Sequence, residues 1–246
     1  MTISSQQSRA ACITTVAEGY ERWAAFYDDS PNPLLAREER YLAPLLGDVR
    51  KRTILDLACG TGRWMARLAN GGAESCVGID FSGAMLEAAT RKPSVEGHVV
   101  RGTCESLPFK EDIFHLAICS FALGHFAEVG SFTAEMSRVC KSGADVFITD
   151  LHPSAHEMGW RVGFRDQTAT AIEIENDPRN PEEIRAAFSD QGFTLMRWES
   201  LWLEESERAI FARAGRGDRF EKACSVPAII TFQFRKSDGV ADVQSS

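Results

Sequence analysis

A carboxylate inside a short apolar run, a pair of glycines just after it and a second carboxylate further on form the densest chemical signal in the sequence. The run is Ile54–Ala58, the glycines are Gly60 and Gly62, and the carboxylates are Asp56 and Asp80. In an open α/β sheet a nucleotide-like ligand sits at the carboxyl ends of the strands, where strand order reverses. The loop there must be small so that backbone can approach the ligand, a condition Ala58, Gly60 and Gly62 meet. Asp80, twenty residues past Gly60, then suits the end of the next strand, where it can accept both hydroxyls of a ribose. A dinucleotide loop would carry a third glycine where Met65 stands, bringing its helix N-terminus against a pyrophosphate. Asp56 would repel that pyrophosphate and attract an ammonium group. The pattern therefore asks for a ligand with an amino-acid head and a nucleoside tail, and disfavours a nicotinamide oxidoreductase, the less favoured alternative.

These residues need a sheet to hold them. Thr53–Ala58, Ser75–Asp80, His98–Arg101, Phe114–Ser120 and Ala144–Asp150 read as strands. Helical patterns lie between them: one with Trp64, Met65 and Leu68 on one side, one capped by Ser82, and one over Ser131–Cys140 ending at Gly143. Such alternation predicts a parallel sheet with right-handed crossovers. Ala11–Leu46 reads as two helices separated by Pro31-Asn32-Pro33. Beyond Asp150 the pattern loosens into a strand at Thr168–Glu175, a helix at Pro181–Gln191, a strand at Thr194–Leu203, a charged helix at Glu204–Ala214 and a last strand at Ala228–Phe234. The expected fold is α/β and Rossmann-like, a mostly parallel seven-stranded sheet with helices on both faces and an antiparallel C-terminal strand. One domain is expected: residues 1–50 a helical cover, 51–150 the cofactor-binding core, 151–236 acceptor-side decorations and the end of the sheet, 237–246 a tail.

The 246 residues are 44% hydrophobic and 25% charged with a net charge of −8, ordinary for a soluble globular protein. An acidic chain is a poor partner for nucleic acid, which asks for a basic face. No apolar run approaches the roughly 20 residues of a membrane helix, and Met1–Ala11 lacks the plan of a signal peptide, so no membrane partner and a cytoplasmic location are expected. The seven cysteines contain no CxxC pair, which speaks against a zinc ribbon or a disulfide framework.

Ile54–Gly62 resembles the first motif of the class I S-adenosylmethionine-dependent methyltransferases. Val77–Leu86 resembles the second motif, Gly102–Phe109 the third and Phe114–Phe126 the fourth. The likeness is to the ubiquinone-biosynthesis-like, small-molecule branch (methyltransferase type 11) and covers roughly Tyr20–Asp150. It implies S-adenosylmethionine as cofactor and methyl transfer to an oxygen or nitrogen of a small molecule; another group transfer from the same cofactor, or a catalytically silent binding module, is the alternative. Position by position it implies that Asp56 meets the methionyl ammonium and that Ala58, Gly60 and Gly62 line the methionine portion. Asp80 would take the ribose, Phe81 and Met85 would flank the adenine, and the Cys104 N–H would meet an adenine nitrogen. Ser120 would close the site beneath the methionyl group. Two positions depart from the family pattern. Thr103 replaces an adenine-binding Asp, for which its hydroxyl or Glu105 would substitute, and His115 replaces an Asp at the strand entrance, where it reads as a neutral hydrogen-bonded residue.

On the acceptor side, Tyr20, Trp23 and Tyr27 repeat at helical spacing, either bordering the active site or packing their helix on the sheet. Tyr27 is the one best placed to touch ligand. His125 matches the last histidine of the fourth motif's tail and is the candidate base, or else a loop residue orienting backbone. His152 and Trp160, just past the fifth strand, would border the acceptor pocket. His152 and His156 are spaced as metal ligands on a helix are, but Pro153 intervenes and only Glu157 offers a third ligand, so no metal is expected.

Overall fold

The computed structural model describes residues 12–95, 97–168 and 170–238. The expectations for Met1–Ala11 and for most of the C-terminal tail lie outside the described residues. Thr53, Ile54, Leu55, Asp56 and Leu57 form β2, reached after β1 (Cys12–Thr14), α1 (Val16–Trp23), a 3₁₀ turn (Ala24–Phe26) and α2 (Pro33–Leu45). The chain continues through α3 (Arg63–Asn70), β3 (Ser75–Asp80), α4 (Gly83–Thr90), β4 (Val99–Arg101), β5 (Phe114–Ser120), α5 (Val129–Val139) and β6 (Cys140–Leu151). Then follow α6 (Pro153–Glu157), β7 (Gly163–Arg165), β8 (Ala171–Ile174), α7 (Pro181–Asp190), β9 (Phe193–Leu201), α8 (Arg208–Arg213), α9 (Phe220–Ala223) and β10 (Ile229–Lys236).

Seven strands form one sheet in the order β4-β3-β2-β5-β6-β10-β9. The pairs from β4 to β6 are parallel, and β10 runs antiparallel to both β6 and β9. The chain winds outward from β2 to β4 and then crosses back to β5, so the order reverses between β2 and β5. Their carboxyl ends are the switch point at which ligands bind in such sheets. Strands buried on both faces read as near-continuous apolar runs. Accordingly one face carries Leu55, Leu57 and Ile79 in one core and the other carries Ile54, Leu116 and Ile118 in a second.

The expected helix end at Gly143 is corrected. α5 stops at Val139 and β6 begins at Cys140, which pairs with Phe114; Gly143 sits inside the strand with φ +74°, where a bulge shifts the register. A second sheet, β1-β8-β7, is also unexpected. β1 pairs parallel with β8, Cys12 opposite Ile172 and Thr14 opposite Ile174. The helical cover is thus stitched to the segment after Asp150. Gly19 of α1 lies so close to Ile174 that a Cβ there would approach its side chain to 2.6 Å. Among the described residues no helix is long and apolar enough to cross a membrane.

Candidate functional site

Three loops meet at the switch point. The loop after β2 runs through Ala58 (φ +51°), Gly60 (φ +54°) and Gly62 (φ +75°). A Cβ on Gly60 would meet nothing within 4 Å, so the backbone there faces open space. Asp80, at the end of β3, takes the Gly60 N–H on Oδ2 at 2.8 Å and the Ser82 N–H on Oδ1 at 2.9 Å. It fixes both loops. Burial raises its carboxyl above the usual range despite these donors. Ser82 caps α4 as expected, accepting from the Met85 N–H.

Met65, in the third glycine's place, packs helix α3 against β3. The room comes from the other side, since a Cβ on Gly78 of β3 would stand 2.3 Å from the Met65 sulfur and 2.7 Å from Cys59 Sγ.

Asp56 is only 2% exposed. Burial pushes its carboxyl up to about 7, with Arg63 working against that rise and Glu38 adding to it. The Met65 N–H donates to this carboxylate, but Oδ2 is enclosed without a hydrogen-bond partner. Arg63 Nη1 is likewise enclosed without a hydrogen-bond partner, with Glu39 at 3.7 Å as an ion-pair contact. The other end of that guanidinium donates to Glu38, and to Ser120 Oγ at 3.2 Å. Glu38 itself is fully buried and also accepts from Ser120 Oγ (2.6 Å) and Thr149 Oγ1.

The helical cover reaches this loop directly. Asp28 accepts from Thr61 Oγ1 and from Lys92 Nζ, each at 2.6 Å. Cys104 is buried and its sulfur accepts from the Ala58 N–H, tying the loop after β4 to the loop after β2. Phe81 and Glu105 are half-buried beside them. Met85 is buried in a cluster with Trp23 and Phe164.

A cavity of about 710 Å³ opens beside this site, lined by Tyr20, Trp23, Tyr27, Phe121, Trp160 and Phe164 among others. Phe121 (φ +54°) follows β5 and Leu151 ends β6, so the cavity floor is the carboxyl edge of the sheet. Burial raises the Tyr27 hydroxyl to about 12 and also raises that of Tyr20. His125 stands behind Tyr20 and is not among the lining residues. Its Nδ1 lies 2.9 Å from the Glu175 carbonyl oxygen and its Nε2 2.9 Å from the Tyr20 hydroxyl. A carbonyl only accepts, so Nδ1 carries the proton and Tyr20 donates to Nε2. Burial lowers the His125 pKa, which keeps it neutral. Asp150, buried and raised to about 6, accepts from the Gly124 N–H at 2.8 Å and anchors that turn.

His152 does not line the cavity. Its Nδ1 accepts from the Ser154 N–H to cap α6, and Nε2 lies 3.2 Å from Ser200 Oγ. Among the described residues no three His, Cys, Asp or Glu side chains cluster as metal ligands would.

Sequence reading missed Glu38, Arg63 and the clamp of Asp28, Thr61 and Lys92. The signals were present. Glu38 falls four residues before Leu42 on the buried stripe of α2, a place that a carboxylate does not take without partners. Arg63 puts a cation at a helix N-terminus, where the dipole disfavours it.

Residues 54–143 match the family described as a methyltransferase domain. The chain is 33% identical over 209 residues to the demethylmenaquinone methyltransferase of Mycolicibacterium paratuberculosis (strain ATCC BAA-968 / K-10), covering 76% of this chain and 88% of that one. It is 30% identical over 138 residues to the biotin biosynthesis bifunctional protein BioHC of Cellvibrio japonicus (strain Ueda107), covering 56% of this chain and 27% of the length of that relative. Its fold is that of the S-adenosylmethionine-dependent methyltransferase of Mesorhizobium loti, with TM-score 0.64 at 20% identity, over 83% of this chain and 100% of that one. With the switch-point loop, its two carboxylates and these relationships in hand, the chain belongs to the class I S-adenosylmethionine-dependent methyltransferases, in the ubiquinone- and menaquinone-like branch, with S-adenosylmethionine as its cofactor.

Proposed function

We propose that this methyltransferase acts on an oxygen or nitrogen atom of a planar small molecule seated in the aromatic-lined cavity. The observation that carries the assignment of the cofactor's head group is the pair of enclosed, unpartnered atoms Asp56 Oδ2 and Arg63 Nη1. One accepts and one donates, which is the complement of an α-amino acid's ammonium and carboxylate. An unsatisfied buried polar group costs about 1–3 kcal/mol, a cost such a ligand removes twice.

When bound, S-adenosylmethionine supplies a methyl group on an activated sulfonium. The chain's own work is to bind, orient and exclude water. Asp56 and Arg63 would hold the amino-acid head, Asp80 the ribose hydroxyls, and the bare face of Gly60 would admit close backbone approach. Orientation of two reactants supplies about 7–11 kcal/mol in well-aligned systems. For an acceptor carrying a proton, Tyr20 would take that proton on its oxygen while passing its own to His125 Nε2. The Glu175 carbonyl would hold the resulting imidazolium at Nδ1. Tyr20 is then the contact residue and His125 the group behind it.

Calorimetry comparing S-adenosylhomocysteine with NADH tests the head-group assignment, with binding of the first alone expected. Turnover to S-adenosylhomocysteine across an acceptor panel tests the transfer; bound cofactor with no turnover on any acceptor would favour a silent binding module. A second reading, favoured by the name of the Mycolicibacterium relative, is a demethylmenaquinone acceptor, and that compound belongs in the panel.

A further inference from the structure

Five cations line the cavity and no carboxylate does: Arg161, Arg165, Arg216, Arg219 and Lys222. The chain as a whole has 35 acidic and 27 basic residues, so this wall runs against the composition. Two segments bring it together. Arg161 and Arg165 come from the stretch that leads into and through β7, and Arg216, Arg219 and Lys222 come from the turn after α8 and from α9. Arg161 is ion-paired to Glu173 of β8 at 3.2 Å. Among the described residues no carboxylate pairs with Arg216, Arg219 or Lys222. Burial, and after it the charges of Arg219 and Arg165, hold the Arg216 guanidinium below its usual value. Like charges gathered in a half-enclosed place repel, and a chain keeps such a cluster at a cost that an anion reverses.

The same cavity is also aromatic, with Tyr20 and Trp23 from α1 and Tyr27 just after it among its lining residues. The two kinds of lining offer an acceptor two anchors: an aromatic surface with the Tyr20 hydroxyl for the reacting part, and guanidinium groups for a charge. Resting on the reading of this cavity as the acceptor pocket, we propose that the acceptor is an anion, with an aromatic or apolar body and a carboxylate or phosphate group held by Arg216, Arg219 and Lys222. Guanidinium groups suit both because their fork of donors matches planar carboxylates and phosphate oxygens.

The test uses the full chain without cofactor, with 1-naphthoate and 1-naphthyl phosphate as anionic probes and 1-naphthamide as the neutral one, followed by tryptophan fluorescence, since Trp23 and Trp160 line the cavity. At least one anion is expected to bind about tenfold or more tighter than the amide. The preference should weaken as salt rises and disappear in Arg216→Gln/Arg219→Gln, while Lys110→Gln, an exposed site outside the cavity, keeps it. Which of the two anions binds tighter separates carboxylate from phosphate. Equal binding of anion and amide, no binding of either anion, or a preference that survives the double variant would overturn the proposal. The double variant should still bind S-adenosylhomocysteine like the parent, which also shows that it folds. Failure of the parent to bind S-adenosylhomocysteine would sink the methyl-transfer reading and leave the anion result standing.

Discussion

The two halves of the site are built from different materials. The cofactor half is made of strand ends and backbone: Asp80 is spent on two N–H groups, Gly60 and Ala58 hold left-handed conformations, and Cys104 ties one loop to the next. The half proposed for the acceptor draws largely on side chains of short elements: β7, α8 and α9 are three to six residues each. A sheet fixes the first half through its register. The second is fixed by aromatic packing, as where Trp23 stacks on Phe164 at 5.2 Å. On the proposed reading this is a division of labour, with the cofactor held by the geometry of the sheet and the choice of acceptor left to the short elements beside it.

If that division is real, substitutions should sort by half. The largest effect is expected for Asp80→Ala, which removes both loop anchors and, on the proposed reading, the ribose acceptor as well. Affinity for S-adenosylhomocysteine should fall about 100-fold or more, on the scale of two charged hydrogen bonds, and calorimetry would read it. Loss of anion-probe binding to a similar degree would break the division. Next is Gly78→Ala, which drives a methyl into Met65 and Cys59. It should cost about 1–3 kcal/mol of stability in urea unfolding, and Met65→Ala in the same chain should recover part of that loss.

Asp56 gives a smaller effect with a definite sign. In the free protein its carboxyl sits at about 7, and a bound ammonium would hold it ionised. The complex then carries fewer protons than the free protein, so affinity for S-adenosylhomocysteine should rise with pH, by about tenfold between pH 6 and 8. Asp56→Asn should flatten that slope; a slope that persists would assign it to another carboxyl raised by burial, Asp80 or Asp150. Without ligand the sign reverses, because a raised carboxyl favours the folded state only while protonated, and that stability is lost as pH rises through about 7. Last is His152→Ala, which removes a helix cap worth about 0.5–2 kcal/mol and should leave acceptor KM unchanged. A shift in KM would return His152 to the pocket.

The sequence was most legible where function and periodicity coincide. β3 and β5 were read to the residue, since each is an apolar run stopped by a polar residue at the sheet's edge. β1 and β7, at three residues apiece, are too short for any period to register. They exist because they pair with β8. Glu38 and Arg63 were missed because their roles are mutual: each looks misplaced alone, and only the fold brings α2 across the start of α3. The cationic wall has the same origin, with its members spread over some sixty residues of sequence.

Met65 and Gly78 carry a consequence for how such loops are compared. The dinucleotide loop keeps its empty volume on the helix; here that volume has moved to the neighbouring strand. The two positions behave as one variable, so a double-mutant cycle between them should show coupling. A glycine-loop pattern scored along a single segment treats Met65 as a defect, whereas across the strand pair the space is conserved.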